Sequence, residues 1–245
     1  MNMNVKGKFP EPTPEEYLLR EEELSTNAET RTPITVCVDC SFSMRRQQRL
    51  DRVMEGLRVF CKDMAADPIA SQSVELCVIS ISGSMARVEL DFTPPDRIRL
   101  PALIAKGETP LADGVMTALE NLERRKELYR DNGNSYYRPW LILIADGDES
   151  RSSRELEEAA AALRKESEAK RLNVLCVTIG DEAQLECSSL MRLAPDGRVQ
   201  YLRDLKFREF FGWLSRSIQK TSQSLSGEEV SYEPTVTWGE IIERS

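Results

Sequence analysis

The 245-residue sequence predicts a doubly wound α/β domain built on a mostly parallel sheet with one antiparallel edge strand. Three observations carry the prediction. Short apolar runs rich in β-branched or aliphatic residues, such as 34–38 and 141–145, are hydrophobic on both faces, as strands covered by helices on each side must be. Amphipathic helical patterns alternate with such runs along nearly the whole chain, the order that builds a parallel sheet from strand–helix–strand crossovers. One strand pair is joined only by the turn Ser82-Gly83-Ser84, which is too short for anything but an antiparallel hairpin.

The elements follow in order. Residues 1–31 mix Pro10, Pro12 and Pro14 with glutamate-rich runs and read as an arm. Within it, 15–24 carries helix signals, with Thr13 as N-cap and Pro14 at the first helical position. The first strand, 34–38, ends in Asp39, and Leu50, Val53, Met54, Leu57, Phe60 and Cys61 then recur at helical spacing on one apolar face. The hairpin strands are expected at 74–82 and 85–92. A proline-rich loop leads into a helix over about 110–128, Asp131-Asn-Gly133-Asn marks a turn, and a buried strand follows at 140–145. A helix over 153–170, a strand at 173–179, a short helix near 183–193, a brief strand near 199–202 and a helix over 207–222 complete the alternation, with Phe210, Phe211 and Trp213 as core anchors. The main domain is thus expected over 32–224, with a polar tail at 225–245 that carries Glu228, Glu229 and Glu233 and ends in a more apolar run, 236–242, able to dock on the domain or on a partner.

Composition excludes several partners. A formal charge of −8, without a basic block, argues against nucleic acid and anionic membrane surfaces, which are bound largely by clustered Lys and Arg. No stretch approaches the roughly 20 apolar residues that cross a bilayer, and the first ten residues lack the apolar core of a signal peptide. The expectation is a cytoplasmic protein. Its six cysteines lie mostly in apolar contexts and read as small core residues. Cys37 and Cys40 have a Cys-x-x-Cys spacing, but no second pair and no histidine complete a zinc site.

The chemistry lies at the strand ends. Asp39, Ser41 and Ser43 stand at alternate positions where the first strand leaves the sheet, Thr109 lies in Gly107-Glu-Thr109-Pro-Leu111 at the head of a helix, and Asp146-Gly147 ends the strand at 140–145. In an open α/β sheet, ligands sit beyond the carboxyl ends of strands at the switch point of the topology, which is where Asp39 and Asp146 are expected. Hydroxyls and carboxylates are hard oxygen donors suited to Mg²⁺ or Mn²⁺; Ca²⁺ usually takes more carboxylate oxygens. Among nearby acids, Glu108, Asp148 and Glu149 read as solvated surface groups, and Asp113 as a first-turn acid favoured by the helix dipole.

Together these three motifs resemble the metal ion-dependent adhesion site (MIDAS) of von Willebrand factor A (VWA) domains, over roughly 32–224. Gly-x-Thr-Pro-Leu and the late run 206–215 are most similar to the bacterial tellurium-resistance, TerY-type branch. Phe42 departs from the pattern, since Gly is common between the two serines. The resemblance implies a VWA fold, Asp39, Ser41, Ser43, Thr109 and Asp146 as metal ligands, and a protein partner whose Glu or Asp completes the coordination. Proteins of this kind are encoded with protein kinases, phosphatases or stress-response proteins, so the implied role is a non-enzymatic, metal-dependent adaptor. Two alternatives stand beside it: a metal-assisted phosphatase or hydrolase, and a scaffold with a vestigial site. Against an enzyme, the chain has no histidine, and Ser41 stands where a phospho-aspartyl enzyme needs a second acid after Asp39.

Overall fold

Strand β1, Thr32–Asp39, is buried over its whole length. The computed structural model describes residues 8–10, 24–147, 153–179, 188–202, 206–223 and 239–243. Most of the expected arm helix at 15–24, together with residues 183–187, Asp148, Glu149 and the tail acids Glu228, Glu229 and Glu233, lies outside them.

After β1 a 3₁₀ segment, Phe42–Gln48, leads into helix α1, Arg49–Ala66, and a single helical turn at Ala70–Ser73 precedes β2, Val74–Ser82. Then come β3, Met85–Thr93, helix α2, Leu111–Asp131, and β4, Trp140–Ala145. The chain continues through α3, Ser153–Glu168, β5, Asn173–Thr178, α4, Ser188–Leu193, β6, Arg198–Leu202, α5, Phe207–Gln223, and β7, Gly239–Glu243.

The described strands form one sheet in the order β3-β2-β1-β4-β5-β6-β7. Five strands run parallel, and β3 is the expected antiparallel edge, paired to β2. The sequence reading placed no strand in the tail, yet β7 adds a second antiparallel edge, with Leu202 facing Gly239 and Arg198 facing Glu243. The periodicity of 236–242 is too short to distinguish a strand from a docking tail; the bare edge of β6 supplies the partner.

Alternation along β1 divides the core into two layers. Ile34, Val36 and Val38 pack on one face with Val53, Leu57 and Phe60 of α1 and with Phe207, Phe210, Phe211 and Leu214 of α5. Cys37 faces the other layer, with Val115 and Ala118 of α2 and Leu156, Ala159 and Leu163 of α3. Gly56 lets α1 and α5 meet closely, because a Cβ there would lie 2.3 Å from a ring carbon of Phe211. Among the described residues no helix is long and apolar enough to cross a membrane.

Both flanks of the expected domain touch the sheet. The Val88 N–H donates to the Lys8 carbonyl at 2.8 Å, Lys8 pairs with Asp113, and the Arg124 guanidinium lies 4.5 Å from the Phe9 ring centroid. Asp113 also accepts the Ala86 N–H at 2.6 Å, so this acid ties the arm to the β3 hairpin. At the amino end of β2, buried Glu75 accepts two bonds from Arg125 and lies 3.6 Å from Arg31, fastening the residue that leads into β1.

The helix after β1 covers one face and the helix after β4 covers the other, so these adjacent parallel strands form the switch point, and the crevice beyond their carboxyl ends belongs to no helix.

Candidate metal centre

Asp39 is the last residue of β1 and is fully buried. Its Oδ1 accepts the Ser41 N–H at 2.8 Å, a turn closed by an aspartate side chain that fixes the direction in which the loop leaves the sheet. Cys40 still pairs with the sheet, its N–H donating to the Ile81 carbonyl at 2.8 Å, and its own carbonyl accepts the Lys106 N–H at 2.6 Å. The first loop is therefore anchored to both β2 and the second loop.

In the second loop Gly107 has φ +69°, and a Cβ there would lie 2.6 Å from the Gly83 Cα and 2.8 Å from its nitrogen. Only glycine accommodates both that backbone and that approach. The Gly83 N–H donates to the Glu108 carbonyl at 2.9 Å and the Phe42 N–H to the Gly107 carbonyl at 3.1 Å. Thr109 is thereby set against Asp39, its hydroxyl 3.5 Å from each carboxylate oxygen.

The third loop follows β4. Asp146 Oδ1 accepts the Ser43 hydroxyl at 2.5 Å, and the Ser41 and Ser43 hydroxyls are 2.7 Å apart. All five side chains singled out in the sequence thus meet at one point, and four of them, Asp39, Ser41, Thr109 and Asp146, are buried.

One participant was missed by the sequence reading. Arg49, the first residue of α1, is only 1% exposed, and its Nη1 donates to Asp146 Oδ2 at 2.6 Å. Gln47 and Gln48, at φ 50° and 55°, turn the chain into α1 at this point. The available signal was a charged residue on the apolar stripe, since Arg49 and Val53 share one face of the helix.

The electrostatics are unbalanced. Burial pushes the Asp39 carboxyl up to about 7; the charge of Asp146 adds to this and the bond from the Ser41 backbone opposes it. Two buried carboxylates face one guanidinium, and Asp39 has no ion pair among the described residues. Thr109 reaches its acceptor only at the outer limit of a hydrogen bond, and Arg49 Nε is buried without a partner among the described residues. These features fit a small hard cation: an excess of buried negative charge, oxygen donors of two kinds, and a hydroxyl held off its neighbour. Among the described residues no group of three or more His, Cys, Asp or Glu side chains is placed to hold a metal, so any ion here depends on the hydroxyls. Cys40, beside Asp39, is buried and its thiol is pushed up to about 12, while burial raises Cys37 still further.

The rim differs from the rest of this acidic chain. Phe42 projects between the two serines at 59% exposure and Ile104 stands at 67%. Arg45 joins them, its guanidinium 5.1 Å from the Phe42 ring centroid and its Nε donating to the Ala105 carbonyl at 3.0 Å. Beside Ile104 a cavity of about 410 Å³ is lined by Lys106, Arg87, Ser82 and Met85, and by Glu89, which accepts the Ser80 hydroxyl at 2.7 Å.

No protein-family model matches the chain, and no curated protein matches it in sequence. Solved structures do match in fold. Proximal thread matrix protein 1 from the mussel byssus is 14% identical with a TM-score of 0.54, and the match covers 79% of this chain and 49% of that one. A structure of the same mussel protein with a zinc-occupied MIDAS motif is 16% identical with a TM-score of 0.50, covering 80% of this chain and 46% of that one. The pilus adhesin SpaC from Lactobacillus rhamnosus GG has a TM-score of 0.61 at 13% identity, covering 79% of this chain and 32% of that one. The vWF domain of the type V pili tip protein Mfa5 from Porphyromonas gingivalis has a TM-score of 0.58 at 13% identity, covering 83% of this chain and 99% of that one. The chain therefore spans about half of the mussel protein and about a third of SpaC, but nearly all of the Mfa5 domain. Its fold is that of von Willebrand factor A domains.

Proposed function

We propose that this chain is a metal-dependent protein-interaction module in which Asp39, Ser41, Ser43, Thr109 and Asp146 hold Mg²⁺ or Mn²⁺ and a Glu or Asp of a protein partner supplies a further ligand. The observation that carries the reading is the meeting of these five oxygen-bearing side chains, from three strand-end loops, at a buried point with excess negative charge. When bound, the ion supplies a positive centre that attracts an external carboxylate. The protein's own groups do the rest. Asp39 and Asp146 provide charge, the three hydroxyls provide neutral donors that leave the centre electrophilic, and the backbone bond from Ser41 holds Asp39 in orientation.

The rim supplies the remaining specificity. Exposed Phe42 and Ile104 offer apolar contact beside the acid-binding point, and among the described residues exposed Arg45, Arg46, Arg87 and Lys106 outnumber Glu89 and Glu108 on these loops. An acidic partner segment with a bulky apolar side chain near its acid fits this surface, aromatic and arginine contacts being those that dominate interfaces. The mussel matrix protein with zinc in its MIDAS motif, the pilus adhesin and the pili tip protein share the fold and support an interaction role over an enzymatic one. An enzyme reading, a metal-assisted phosphatase or hydrolase, finds less support: the chain has no histidine to act as base, and the Ser41 hydroxyl is paired with Ser43. The sequence resemblance to the tellurium-resistance branch favours a bacterial, cytoplasmic setting in a stress-response or phosphorylation-linked system, with a protein kinase, phosphatase or stress-response protein as partner.

Affinity capture from the native host tests the reading when run with wild type in Mg²⁺, with wild type in EDTA, and with Thr109→Ala in Mg²⁺. A partner retained only under the first condition is expected. Equal capture in all three would remove this site from the interface and leave the fold as a scaffold with a vestigial metal site.

A further inference from the structure

Arg49 is an expensive residue to place where it lies. A buried guanidinium with one strong acceptor and an Nε without a partner among the described residues loses its hydration without full compensation, and an apolar side chain would fill the same space on the core face of α1. Its contact is also selective. Among the described residues its one ion pair is with Asp146, while Asp39 is met by neutral groups alone, the Ser41 N–H and hydroxyl, the Asp146 backbone and the distant Thr109 hydroxyl. Asp146 is thus neutralised from within the fold, its second oxygen taken by Ser43, and the donor set faces an incoming cation with one of its two carboxylates already paired.

We propose that Arg49 is a tethered counter-ion that couples the site's affinity for a divalent cation to the arrival of an external carboxylate. This rests on the reading of the five oxygen side chains as the metal site. Two carboxylates and a divalent cation sum to zero charge and exert little pull on a third anion. With the guanidinium added, the same assembly carries one positive charge in excess, which one incoming carboxylate cancels. In its absence, Arg49 repels a divalent ion approaching Asp146, so the cation alone is held weakly. Each ligand strengthens the other by the same factor, as linkage requires, and a direct charge effect at this range in a buried site is worth on the order of tenfold.

The test is calorimetric titration of Mn²⁺ into wild type, Arg49→Met and Arg49→Lys, each in sodium acetate and in sodium chloride of equal ionic strength. Wild type is expected to bind Mn²⁺ about tenfold more tightly in acetate than in chloride. Arg49→Met, which keeps the volume and removes the charge, should bind about tenfold more tightly than wild type in chloride and lose the acetate response; Arg49→Lys should retain it. If methionine is not accepted in the fold, Arg49→Gln gives the same contrast. A residue needed only for packing would lower affinity in both salts alike. Mn²⁺ bound by wild type and Arg49→Met with the same affinity and the same acetate response would overturn the role of Arg49 and leave the metal reading standing. Absence of Mn²⁺ binding in all variants under both anions would sink the metal reading and this inference with it.

Discussion

Ser43 and Asp146 stand 103 residues apart in the chain, and their side chains meet at 2.5 Å. The contact joins the loops that leave two adjacent parallel strands, β1 and β4, where Val38 pairs with Ile144. Because the strands are in register, two short loops suffice to bring a serine and an aspartate together, and neither needs a long flexible excursion. The fold supplies the proximity and the loops supply the chemistry.

Asp39 is a buried carboxylate without an ion pair among the described residues, so its charge is costly to the fold and useful only to a cation. Asp39→Asn is expected to abolish Mg²⁺ and Mn²⁺ binding while leaving the melting temperature in EDTA equal to or above that of wild type. Calorimetric titration and thermal melts measured in parallel check both halves; undiminished metal affinity in the variant would take Asp39 out of the ligand set.

Gly107 and Gly133 both have positive φ, yet only Gly107 sits against other backbone. Gly133→Ala should cost about 1–2 kcal/mol, the ordinary left-handed penalty. Gly107→Ala must also displace the Gly83 backbone and should cost more, about 2–4 kcal/mol, with a loss of metal affinity because Thr109 moves. Denaturant melts of the two variants side by side decide it, and equal losses would mean that the contact between the loops is slack.

Phe42 makes its main described contact with the Arg45 guanidinium and is otherwise largely in solvent. Phe42→Ala should therefore change stability by no more than about 0.5 kcal/mol and leave Mn²⁺ affinity alone. Partner affinity should fall about tenfold or more, the loss typical of an aromatic anchor. A partner titration that is unmoved by the substitution would place the interface elsewhere on the surface.

Strand β7 covers the edge of β6 through five paired positions. Removing residues 239–245 should cost about 2 kcal/mol or more in lost backbone hydrogen bonds and leave an open edge prone to self-association. Thermal melts and light scattering read the two effects, and a truncated protein that is monomeric and as stable as the full chain would refute a structural role for this strand.

Much of the fold was legible in the sequence because its signals are local. Continuous apolar runs marked the buried strands and period-3.6 hydrophobicity the inner faces of the helices, and β2 and β4 occupy Val74–Ser82 and Trp140–Ala145 as expected. An acid or hydroxyl at the end of a buried strand is equally local, and the resemblance of the three short motifs to the MIDAS pattern singled out the five oxygen side chains that meet at the switch point. Other features depend on which distant residues become neighbours, and no window of sequence holds that information. Arg49 turns inward because Asp146, 97 residues away, offers a buried counter-charge. Asp113 is the first-turn acid expected, yet it also binds Lys8 and the Ala86 backbone, which no local signal foretold. The segment at 239–243 becomes a strand because β6 presents a free edge with unpaired backbone groups. In each case the deciding energy is the removal of a charge or a backbone polar group from water, which depends on the assembled core and not on the residues on either side.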